Sequence, residues 1–88
     1  MIKDEELQKL KSLLEEQHEW PSNYHFKFIV PFDKILEVEV LFPGHTLNRK
    51  ASKKGNYVSL SLDIELESAD LVIAIYQKAS KIKGLISL

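Results

Sequence analysis

The chain reads as a single α+β domain in which helices cover one face of an antiparallel sheet, and three observations lead there. Residues 57–66 alternate strictly, with Val58, Leu60, Leu62, Ile64 and Leu66 on one side and Tyr57, Ser59, Ser61, Asp63 and Glu65 on the other, so the segment is a strand with one dry face. A strand covered on both sides would instead read as a continuous apolar run. Residues 24–30 alternate in the same way, with Tyr24, Phe26, Phe28 and Val30 opposed to His25, Lys27 and Ile29. Segments of helical spacing, bounded by Pro, Gly and Ser, precede and follow these strands.

Composition narrows the rest. Eighty-eight residues make one domain, near the lower end of the size that is stable without staples. With no cysteine there is no disulfide, thiolate zinc site or cysteine-ligated iron–sulfur cluster, and stability has to come from a packed core. An apolar fraction of 44% can supply that core. Twelve basic and thirteen acidic side chains leave a net charge of −1, so no global field draws the chain to nucleic acid or to an anionic membrane. No stretch approaches the roughly 18 consecutive apolar residues of a spanning helix, and residues 1–6 lack a signal-peptide pattern. The expectation is a cytoplasmic protein, soluble and without a membrane anchor.

Taken in order, residues 3–18 form an amphipathic helix, because Leu7, Leu10, Leu13 and Leu14 recur at helical spacing among Glu, Gln and Lys. Trp20-Pro21 ends it, since the residue before proline avoids helical geometry. Residues 24–30 are the first strand, stopped at Pro31. Residues 33–42 are ambiguous between strand and helix; the helix is preferred because Asp33 is a fair N-cap, Glu37 suits the first turn and Pro43-Gly44 supplies a stop. Residues 45–51 are a polar strand suited to an edge. A turn carrying Gly55-Asn56 leads into the central strand. A second core helix opens at residues 67–70 with Ser68 as cap, presents Leu71, Val72, Ile75, Tyr76 and Ala79, and closes at residues 81–84. Residues 85–88 are a last short strand.

After the leading helix the order is strand, helix, strand, strand, helix, strand. Two such halves joined by a hairpin make a ferredoxin-like βαββαβ sandwich, with two helices on one face of a four-stranded antiparallel sheet. The extra N-terminal helix occupies residues 1–19 and the ferredoxin-like domain residues 20–88. A stripe of Leu7, Leu10 and Leu14 has to dock on the domain or on a second copy, so monomer and homodimer are both open.

The segment Ser52-Lys53-Lys54-Gly55-Asn56-Tyr57-Val58-Ser59 resembles the Ser-x-Lys-Gly-Asn-Tyr-x-Ser signature of the small YbeD-like family. Residues 26–31, Phe-Lys-Phe-Ile-Val-Pro, and the ending Lys83-Gly84-Leu85-Ile86-Ser87-Leu88 are similar to that family's first and last strands. The likeness runs from about Trp20 to Leu88 and omits the leading helix. It implies a ferredoxin-like fold similar to ACT regulatory domains, and a bacterial protein of regulatory role, linked in some bacteria to lipoate metabolism. It implies no catalytic residue.

Chemistry that the residues themselves offer is sparse. His18, His25 and His45 show no ligand-pair spacing, so neither a metal nor any other cofactor is expected. The loop after the first strand, residues 30–34, has no glycine or arginine to cradle phosphate and carries Asp33. Ser52, Ser59 and Ser61 have no sequence-evident base. Tyr57 with His25 and Lys27 is a faint version of the stacking face of RNA-binding domains, but Phe26 and Phe28 alternate onto the other side. The one local concentration of charge is Arg49, Lys50, Lys53 and Lys54, beside the Gly55-Asn56-Tyr57 turn. These seven residues are the candidate surface for an acidic protein partner or a small anionic ligand; the plain alternative is that the lysines blunt an edge strand and that glycine and asparagine serve turn geometry. The expected function is a non-catalytic regulatory or interaction domain. An enzyme with an unrecognised small-molecule site and an RNA-binding module are the alternatives.

Overall fold

The computed structural model describes residues 4–52 and 54–88. It is an α+β arrangement of three helices and one four-stranded antiparallel sheet. Helix α1 spans Asp4–Gln17, strand β1 Ser22–Pro31, a 3-10 turn Phe32–Lys34 running into α2 at Ile35–Glu39, β2 Asn48–Ala51, β3 Tyr57–Leu66, α3 Ala69–Ala79 and β4 Ile86–Ser87. The strand order across the sheet is β2-β3-β1-β4.

The two long strands pair over their whole length, from Ser22 opposite Leu66 to Pro31 opposite Tyr57. That register sets Phe26 against Leu62, Phe28 against Leu60 and Val30 against Val58, so the apolar residues of both strands fall on one face. All six are buried. Over them lies an aromatic cluster in which Phe26 and Tyr76 meet edge-on at 5.3 Å, and Phe26 and Phe42 lie 5.4 Å apart, separations that suit tilted and T-shaped rings. Tyr24 and Tyr76 share a hydroxyl–hydroxyl hydrogen bond of 2.9 Å at the rim of this cluster.

Helix α3 begins as its sequence predicts: the Ser68 hydroxyl accepts from the Leu71 amide at 3.4 Å, and Val72, Tyr76 and Ala79 turn inward. Helix α1 lies beside α3, with Leu7 and Leu14 buried in the same core and Leu10 partly buried against it. Lys11 bridges to Asp70 at 2.8 Å, and that hydrogen bond, with the carboxylate's charge, raises the lysine pKa. Gly84 has φ +83°, and a Cβ there would sit 2.8 Å from Pro31 Cγ, so the approach to β4 needs glycine for conformation and for space.

Three elements depart from expectation. The helix over residues 33–42 is a 3-10 turn followed by five α-helical residues, and no side-chain oxygen caps either part; Asp33 therefore is not an N-cap. Ile35, Val38 and Phe42 face the core, which suffices to hold so short a segment without a cap, since packing outweighs propensity. The edge strand begins at Asn48 instead of residue 45, because the His45 amide is held by the Phe42 carbonyl at 3.1 Å and Leu47 is drawn into the core. Only Ile86 and Ser87 form β4, with the Leu88 amide adding a bond of 2.9 Å to the Lys27 carbonyl.

Candidate functional site

All three helices contribute to one core, through Leu7 and Leu14 of α1, Ile35 and Val38 of α2, and Val72, Tyr76 and Ala79 of α3, while Leu13, Leu36 and Leu71 stay exposed. None of the three helices packs on the second face of the sheet. Its surface follows from register. On β3 the outward residues are Tyr57, Ser59, Ser61, Asp63 and Glu65; across β1, Ile29 stands opposite Ser59, Lys27 opposite Ser61 and His25 opposite Asp63. On the other side β2 sets Lys50 opposite Ser59 and Asn48 opposite Ser61. Ile86 of β4 lies opposite Ile29. Directly opposed residues share a face, so one row across the sheet reads Lys50, Ser59, Ile29, Ile86.

Ser59 is short and its neighbours are long, and the result is a shallow recess of about 240 Å³. Lys27, Ile29, Lys50, Tyr57 and Val58 line it together with Ser59, and Ala51 and Ser52 complete it toward the hairpin. Tyr57 is 44% exposed. Among the described residues neither Lys27 nor Lys50 is in an ion pair. The lysines thus offer two positive charges beside an apolar hollow with a hydroxyl at its centre.

The seven residues singled out from sequence divide. Lys50 and Tyr57 line the recess. Arg49, opposite the buried Leu60, reaches the far side of the sheet edge and holds Glu39 Oε1 at 2.9 Å. Lys54, Gly55 and Asn56 are exposed in the turn, whose backbone is closed by Gly55 N to Ser52 O at 3.0 Å and Ser52 N to Tyr57 O at 2.9 Å; Gly55 takes φ +74°. Lys53 lies outside the described residues. Lys27 was no member of that group and joins the recess because β3 places it within reach of Lys50. The alternation of β1 places it on the outward face beside His25 and Tyr57, but not with the hairpin cluster.

The histidines stand apart. His25 Nδ1 is 2.9 Å from Asp63 Oδ1 on the open face, His18 Nδ1 is 3.1 Å from the Ser22 hydroxyl, and His45 is exposed beyond α2. No group of three metal-ligating side chains occurs among the described residues, and no described helix is long and apolar enough to cross a membrane.

Neither the curated proteins nor the solved structures offer a match to this chain. The family model described as "Protein of unknown function (DUF493)" matches residues 15–87, from the last turn of α1 through β4. The chain belongs to that family.

Proposed function

We propose that this is a ferredoxin-like domain, similar in build to ACT regulatory domains and of the YbeD-like kind, which acts without catalysis by holding a protein partner or small ligand on its open sheet face. The fold reading is supported by the order β2-β3-β1-β4, in which the units β1-α2-β2 and β3-α3-β4 interleave so that β1 and β3 are central. The functional reading is carried by one observation: a sheet face left bare by all three helices bears a recess flanked by Lys27 and Lys50. Clustered charge on an uncovered surface contributes little to stability and much to recognition.

The test is affinity purification from the native cell with two baits, the parent and a Lys27→Glu/Lys50→Glu variant. A species enriched by the parent and lost with the variant supports the reading. Species retained equally by both baits, or turnover of a co-purified small molecule, count against it. Strongly salt-dependent nucleic acid in the eluate would favour an RNA-binding module instead.

A further inference from the structure

The recess is small for a ligand that must be enclosed. Pockets that take small molecules usually run to about 300–1,000 Å³ and bury most of the ligand, whereas about 240 Å³ is the share of roughly eight water molecules at ~30 Å³ each. It opens directly onto solvent and continues along Ile29 to Ile86, which is 51% exposed on β4. A single side chain fits such a hollow better than a whole molecule, and a chain crossing the strip can cover what lies beside it.

Charge restricts what that chain carries. Lys27 and Lys50 stand two strands apart and one two-residue step out of line, about 12 Å between backbones from ordinary strand spacings. Their flexible stems can therefore reach either side of one inserted side chain. The recess lining has no carboxylate, so a cationic group in the ligand finds no counter-charge there. Nucleic acid fits less well: Tyr57 is the sole aromatic in the lining, where single strands need successive stacking platforms.

We infer that the open face binds an acidic segment of a partner protein, one apolar side chain of which seats over Ser59 between Tyr57 and Ile29 while flanking Asp or Glu residues meet Lys27 and Lys50. This inference rests on the reading of the face as the binding surface. It adds the chemistry of what binds.

A random dodecapeptide library selected on the full chain tests it, with phenylacetate and random single-stranded RNA as separate probes, and with amide shifts at Lys27, Ile29, Lys50, Tyr57 and Ser59 reporting where each binds. The expected result is enrichment of peptides carrying one aromatic or branched aliphatic residue among acids. Such a peptide should lose at least tenfold in affinity when the apolar residue becomes Gly, and a similar factor on the Lys27→Glu/Lys50→Glu variant. Enriched peptides that are neutral or basic, or no enrichment, would overturn it. Phenylacetate or RNA binding the same amides more tightly than any selected peptide rejects the acidic segment and leaves the face as the site. Selected peptides and both probes that shift only other amides reject the face itself.

Discussion

The two faces of the sheet are built from the same two strands, β1 and β3, ten residues each, and they do opposite work. On the inner face Phe26, Phe28, Val30 and Leu60 are wholly buried under three helices, and each position is constrained by its neighbours' shape. On the outer face Ser59 and Ser61 sit among Lys27, Lys50 and Tyr57, and nothing in the fold requires those identities. The difference teaches where to look for function in a chain of this kind: stability is concentrated on one side of every second peptide, so side chains on the other are free to be chosen for what they meet outside.

The comparison breaks most visibly at Phe26. Phe26→Ala should cost about 3–5 kcal/mol, as large aromatic truncations in a packed core do, and at roughly 4–8 °C per kcal/mol for a domain of this size thermal melting should fall by 12 °C or more. Its outward neighbour gives the control, since Lys27→Ala should stay within about 0.5 kcal/mol. Circular dichroism melts of the two variants check the pair. Equal melting points would mean that the faces are assigned the wrong way round.

Helix α1 repeats the contrast within one element. Leu14 is 5% exposed and Leu13 50%, although they are adjacent in sequence. Leu14→Ala should cost about 2–5 kcal/mol, and Leu13→Ala well under 1 kcal/mol, both read from denaturant midpoints at constant slope. A similar loss at both positions would show that the outer side of α1 is also covered. An unchanged Leu14→Ala midpoint would show α1 to be a tether.

Much of this was legible in advance for a physical reason: alternation and helical spacing report which side of an element is dry, and β1, β3, α1 and α3 are long enough to display their periods. Flanking signals favour a helix over a strand at α2, but its short 3-10/α form was not legible, because Ile35, Leu36, Val38 and Val40 span barely more than one turn and fit either period. Packing of Ile35 and Val38, which no local signal encodes, decided it. The site was half legible. Arg49 and Lys50 are neighbours in sequence, yet strand geometry sends them to opposite faces, one to Glu39 and the other to the recess. Lys27 lies 23 positions from Lys50 in the chain and is brought toward it only by the register of β1, β3 and β2, which a sequence does not print.

A smaller effect is expected at the rim of the core, where the inner face turns polar. Tyr76→Phe removes the 2.9 Å bond to Tyr24 and should cost about 0.5–1.5 kcal/mol. Burial first, and then the bond to Tyr24, raise the Tyr76 pKa above its ordinary value of 10.0. Above pH 10 the unfolded chain therefore gives up a proton that the folded chain keeps, so stability is full below that pH and declines as pH rises. Urea melts between pH 8 and 11 should show a steeper alkaline decline in the parent than in Tyr76→Phe. Parallel curves would mean that the phenol is more hydrated than its burial implies.

The smallest effect on the fold should come from filling the recess. In Ser59→Leu the new side chain lies over Ile29 and beside Tyr57, on a face where no helix packs, so stability should change by no more than about 0.5 kcal/mol. Binding should respond differently, because the hollow that seats an apolar anchor is now occupied by the protein's own leucine: a selected acidic peptide should lose at least tenfold in affinity, whereas Ser59→Ala, which leaves the hollow empty, should bind as the parent does. One residue along, Leu60→Ser makes the reverse exchange and places a hydroxyl in the core, where an unpaired polar group costs about 1–3 kcal/mol beyond the lost packing. The measurement is a melt and a binding isotherm for each of the three variants. If Ser59→Leu melts as far below the parent as Leu60→Ser does, the outer face is not open; if it melts with the parent and still binds, the anchor sits elsewhere on that face, and Ile86 becomes the next position to fill.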